Sequence, residues 1–148
     1  MDNNMSKNVK MTRAILPSAG VAATTDINGA VIDMANFESV LMIVTFGVIT
    51  GSAVTSIKAQ SGTDGSVSDA ADLLGTGQTI ADDDDNETFF IDLVKPIERY
   101  VRLVVDRGTQ NAVVASATYI KYNPRTKPTT HDTGVTGELH VEPIEGTA

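Results

Sequence analysis

The stretch Ser39–Phe46, SVLMIVTF, constrains this chain more than any other. It is almost continuously apolar. In an extended strand Val40, Met42, Val44 and Phe46 line one face, and Leu41, Ile43 and Thr45 line the other. A run of this length, rich in branched residues and bounded by turn signals, predicts a strand buried on both faces. Gly47, Gly51 and the β-branched residues between Val40 and Gly51 argue against a helix. Thr55–Gln60 alternates, with Ile57 and Ala59 on one side and Ser56, Lys58 and Gln60 on the other. Joined through Gly47–Gly51, the two segments predict an antiparallel pair at the nucleus of a sheet.

Upstream, Asn28-Gly29 is a hairpin-turn signal, predicting short strands at 22–26 and 30–34. Downstream, Ala59–Val94 holds nine acidic residues and no Lys or Arg. Within it, Ser68 and Gly75 predict the cap and stop of one helical turn over Asp69–Leu74. Gln78–Ala81 predicts a short strand. Asp82–Asp85 predicts a solvated turn, since four adjacent carboxylates cannot be buried unpaired. Thr88–Leu93, Arg99–Asp106 and Ala112–Tyr122 predict three further strands. Phe89, Ile91, Val101, Leu103 and Val105 join Val40, Met42, Val44 and Phe46 in the expected core. Several short strands with almost no helix predict an all-β fold, an antiparallel β-sandwich or jelly roll with extended N- and C-terminal arms. Residues 1–12 form the expected flexible arm, 13–122 the sandwich domain and 123–148 the extended tail.

The 148 residues suffice for one domain with its own core. Without cysteine there are no disulfides and no thiolate chemistry. The opening residues lack an apolar segment of signal-peptide length, and no run approaches a membrane helix, so neither export nor a membrane partner is expected. A net charge of −8 disfavours nucleic acid as a partner. His131 and His140 both fall in the tail, outside any apolar frame that would fix a catalytic geometry. No catalytic or phosphate-binding motif occurs. The expectation is therefore no catalytic residue, no cofactor and no metal. A calcium site on Asp64, Asp69, Asp72 and Asp82–Asp85 is the competing reading of the acidic stretch. Arg99 is expected to pair with Asp106, or Arg102 with an acid of the 59–94 stretch.

The segments FESVLMIVTFG, TSIKAQSGTDG, ADLLG and ERYVRLVVDRGTQNA, within residues 30–122, resemble a group of small structural proteins of tailed bacteriophages. Members of that group sit beside the major capsid protein. The resemblance implies head decoration, or cementing, on the outer surface of the virion, after synthesis in the host cytoplasm. It also implies the major capsid protein and further copies of the same chain, a trimer, as partners. A head–tail joining, tail or fibre-associated module is the neighbouring alternative. ERYVRLVV is similar as well to a strand of discoidin-like, sugar-binding jelly rolls, although the loop aromatics of such lectins are absent. Candidate partner contacts are Lys7, Lys10 and Arg13 near the start, Arg102 on its strand, and Leu139, Val141 and Ile144 in the tail.

Overall fold

The computed structural model describes residues 4–141 and 144–147. Residues 1–3, 142, 143 and 148, part of the expected arm and tail, lie outside the described residues. The protein is nearly all β. A helical turn, α1 (Met5–Asn8), precedes ten strands: β1 (Lys10–Ile15), β2 (Ile27–Asn28), β3 (Ile32–Asp33), β4 (Phe37–Ile49), β5 (Val54–Gly62), β6 (Ala71–Asp72), β7 (Gln78–Ile80), β8 (Thr88–Val94), β9 (Tyr100–Gly108) and β10 (Ala112–Pro124). They form two antiparallel sheets. One has the order β1-β10-β4-β8. The other has the path β2-β9-β5-β6, with β3 also on β9 and β7 also on β5. The stretch expected as a flexible arm thus contains α1 and the first three residues of β1, and β10 runs two residues past Tyr122.

The inner faces of both sheets share one core. Val40, Met42, Val44 and Phe46 of β4 are fully buried, as are Val101, Leu103 and Val105 of β9. Ile91 is buried and Phe89 packs against the same cluster, with its ring edge-on to Phe46 at 5.9 Å. The period-two pattern of each strand produces this arrangement directly, because successive side chains leave a strand on opposite sides.

The link from β4 departs from expectation. β4 and β5 are not paired; they belong to different sheets. β10 and β8 occupy the two edges of β4, so the chain after Ile49 has no edge of that strand to return to. It turns at Thr50–Ala53, where Ser52 adopts a left-handed φ of 67°, and crosses to pair with β9. Nor is β4 buried on both faces. Leu41, Ile43 and Thr45 are half-buried, because they point away from the second sheet.

Asn28-Gly29 makes no hairpin. β2 and β3 both run along β9, with Asn28 opposite Val104 and Ile32 opposite Val101. Four chain steps therefore face three, and the extra residue forms a bulge in what is otherwise one broken strand. Gly29 donates its N–H to the Leu103 carbonyl at 2.8 Å. A Cβ at Gly29 would lie 2.7 Å from the Tyr119 hydroxyl and 2.8 Å from that carbonyl. Glycine is needed here for close approach. The expected helical turn at 69–74 is also replaced, by β6. Ser68 donates its hydroxyl to Asp64 at 2.5 Å instead of capping a helix, and Ala71–Asp72 pairs with Ser61–Gln60.

β10 carries a second irregularity. Register slips between Val114 and Ser116 exchange its faces, so Ala112 and Val114 point inward before the slip, and Ala117, Tyr119 and Lys121 after it. At one end of the molecule Lys121 is nearly covered. Its ammonium sits 4.9 Å from the Phe37 ring centroid and donates to the Asp33 carbonyl at 3.1 Å. Burial, aided by the neighbouring charge of Lys10, pushes its pKa down. At the other end Arg107 is buried and donates to the carbonyls of Thr25, Val21 and Ala112 at 2.7–2.9 Å. It thereby ties the irregular segment between β1 and β2 to the sheet.

Candidate interaction surface

β1 is an edge strand, and an open edge is a row of unpaired backbone groups that invites association. Here the chain covers that edge itself. After β10 it reverses and runs parallel to β1. Thr129 donates its N–H to the Lys7 carbonyl at 3.0 Å and its hydroxyl to the Val9 carbonyl at 2.5 Å. Met11 donates its N–H to Nδ1 of His131 at 3.1 Å, and Asp132 returns its N–H to the Met11 carbonyl at 3.2 Å. The Asp132 carboxylate fixes the strap. It takes the Lys10 ammonium at 2.7 Å and the Thr12 hydroxyl at 2.5 Å. Burial pushes the Asp132 carboxyl up, but Lys10 and Thr12 outweigh it, leaving the pKa below the usual carboxylate range. Gly134, with φ 85°, then lies against the Arg13 guanidinium, at a spot where a Cβ would come within 2.5 Å.

This geometry sorts the candidate contact residues. Lys7, Lys10 and Arg13 lie together on the strapped edge, but Lys10 is held internally by Asp132 and Lys7 lends its carbonyl to Thr129. A cleft of about 430 Å³ separates α1 and β1 from the tail, lined by Lys7, Met11, His131, Val135 and Leu139 among others. Beyond it, Leu139 is 45% exposed, Val141 88% and Ile144 97%. Arg102 stands apart. It projects from the outer face of the other sheet and donates twice to Gln60 Oε1, at 2.7 and 2.9 Å. That partner is an amide, not an acid of the 59–94 stretch. Arg99 pairs not with Asp106 but with Asp33, through two bonds of 2.7 and 2.9 Å. The Arg99 guanidinium holds the Asp33 carboxyl at about 2. Asp106 instead shares Lys58 with Asp72, each at 3.1 Å.

One surface was missed by residue-by-residue reading. The registers of β1, β10, β4 and β8 place Met11, Ile120, Leu41 and Asp92 in one row across the outer face of their sheet. Arg13, Thr118, Ile43 and Phe90 form the next. Ser116, Thr45 and Thr88 follow on one side, and Tyr122, Ser39 and Val94 on the other. The grid is apolar or hydroxyl-bearing except for Arg13 at one edge and Asp92 at the other. Met11, Ile120, Leu41 and Ile43 are half-buried, and Phe90 is 61% exposed. Tyr122 donates its hydroxyl to Asp92 Oδ1 at 2.7 Å, and this carboxylate raises the phenol's pKa. The signal lies in the apolar Leu41 and Ile43, which the unbroken apolar run assigns to a second buried face of the strand.

The acidic stretch is occupied with its own backbone. Asp85 accepts the Ile49 N–H at 2.6 Å, Asp82 that of Ser52 at 2.5 Å and Asp84 that of Ala81 at 2.8 Å, so three of the four carboxylates brace the turns at this end. Asp64 takes Ser66 and Ser68, and Asp69 takes Thr63. These bonds hold both carboxyls below the usual range. Among the described residues no group of three or more His, Asp or Glu is arranged to hold a metal ion. No helix of the described residues is long and apolar enough to cross a membrane. The chain matches no protein-family model and no curated protein sequence.

Proposed function

We propose that this chain is a virion structural protein, a decoration or cement protein that binds and stabilises the assembled head of a tailed bacteriophage. In this reading the two sheets form a β-sandwich of the jelly-roll kind. The protein works by binding and not by catalysis, on the outer surface of the capsid, with the major capsid protein and other copies of itself as partners. The observation that carries the reading is the form of the tail. It is pinned to β1 at Asp132, and beyond the pin it presents Leu139, Val141 and Ile144 to solvent. A segment anchored at one end with spaced apolar side chains suits addition to a neighbour's surface, where main-chain bonds and a few pockets hold it. Repeated over a shell, modest contacts of this kind give firm attachment. The acidic balance suits an outer surface better than one facing packaged DNA.

The test is the number of copies in purified particles and the effect of removing residues 138–148. Decoration requires hundreds of copies per particle, and the truncated chain should keep its fold while binding shells at least about tenfold more weakly, roughly 1.4 kcal/mol. A dozen copies or fewer would move the protein to the neck or tail. Parental occupancy by the truncated chain would remove the tail from the contact.

A further inference from the structure

We propose that the outer face of the β1-β10-β4-β8 sheet is a self-association surface, closed by a second copy of this chain packed face to face about a two-fold axis along the strands. The inference deepens the self-association in the decoration reading by naming its surface, replaces the trimer that the resemblance implies with a two-fold dimer, and its test needs no shell. The face offers a continuous apolar centre, Ile120, Leu41 and Ile43, extended by Met11 and Phe90 to its two edges. A sheet face of this kind, bordered by hydroxyls, resembles the core and rim of a protein interface.

The two charges decide what covers it. Arg13 lies on β1 and Asp92 on β8, at opposite edges and one row apart. A two-fold axis running along the strands through the centre exchanges the edges. It lays β1 of one copy over β8 of the other. Once its guanidinium swings off Gly134 of the strap, Arg13 falls over the partner copy's Phe90 ring, one row from the partner copy's Asp92, and the same contact occurs a second time by symmetry. Asp92 uses Oδ1 for Tyr122, which leaves its other oxygen for an incoming guanidinium. A two-fold axis across the strands would instead set Arg13 over Met11, far from either carboxylate. The charge pattern therefore selects one packing, and the selected packing is complementary to itself. In this packing the Asp82–Asp85 turns of both copies lie at the same end, beyond the grid at the Ile49 end of β4, so their repulsion opposes the dimer and is screened by salt.

Sedimentation equilibrium of the full chain, from micromolar to millimolar at moderate salt, tests this directly. The expected result is a reversible dimer. Ile43→Asp should raise its dissociation constant at least tenfold. Arg13→Glu and Asp92→Arg should each weaken it, and the two together should restore it. The exchanged pair decides the matter even if Ile43→Asp folds poorly, since both charged residues are exposed. A monomer throughout the range, a trimer, an Ile43→Asp protein that dimerises like the parent, or a double variant no tighter than its singles would each overturn the proposal. A dimer that fails to bind shells would sink the decoration reading and leave this one standing.

Discussion

The hydroxyl of Tyr119, on one sheet, accepts the backbone N–H of Leu103, on the other, at 2.7 Å. It is a direct polar bond through the middle of an apolar core. The bulge at Gly29 makes room for it, and burial pushes the phenol's pKa up. Tyr119→Phe keeps the ring but leaves a buried N–H without a partner. The expected loss is about 1–3 kcal/mol, read from urea unfolding. Gly29→Ala should also destabilise, and by less in the Tyr119→Phe background, because one of the two colliding oxygens is then gone. A double-mutant cycle gives the coupling; a coupling of zero would mean that the bulge and the hydroxyl do not act together.

Arg107 predicts a local effect. Replacing it with Leu orphans three carbonyls that now receive its guanidinium. The cost should be about 2–4 kcal/mol. Hydrogen exchange should rise most over residues 16–26, which those bonds restrain. Uniform acceleration across both sheets would show that the arginine has no special hold on that segment.

The tail divides at its anchor. Ending the chain before Asp132 removes the Lys10 and Thr12 contacts and reopens part of the β1 edge, so the melting temperature should fall and aggregation should increase. Ending it after Gly137 spares the anchor and should leave melting unchanged. Thermal unfolding of the two truncations side by side separates them, and equal melting temperatures would contradict the anchoring role.

Asp33 gives a pH signature. Its folded pKa, about 2, lies below the unfolded value of about 3.9. The bond to Arg99 therefore contributes stability that is fully present above about pH 4 and is lost as pH falls towards 2. Arg99→Gln should lower the urea midpoint slightly at pH 6 and hardly at all at pH 2, since exposed pairs of this kind are weak. A difference that grows on acidification would reverse the sign and rule out the pair as its source.

What could be read from the sequence is what is local. The alternation of Val40, Met42, Val44 and Phe46, and of Val101, Leu103 and Val105, is a property of adjacent residues, and it correctly assigned the core. Partner choice is not local. Asn28-Gly29 has the chemistry of a tight turn, but β9, arriving some seventy residues later, pairs with both of its flanks. Gly51 does sit in a turn, Thr50–Ala53, while Gly47 stays within β4, and whether a turn returns to its own sheet depends on which edges are already taken. Arg99 had an acid seven residues away and bonds one sixty-six residues away. The strap was legible only as a tail, because His131 and Asp132 acquire their roles from Met11, Lys10 and Thr12 at the far end of the chain.

The position of β4 between β10 and β8 also sets an order of events during synthesis. Its two neighbours begin at Thr88 and Ala112, so the most apolar segment of the chain emerges long before anything that can pair with it. At about 5–20 residues per second the wait amounts to several seconds. Through that interval Ser39–Phe46 is a bare, sticky strand, and the pairings that finally enclose it span large loops, which slows closure. Raising the translation rate or crowding nascent chains should therefore send more of this protein into aggregates than its equilibrium stability would suggest, and holdase chaperones that grip extended apolar segments should recover it.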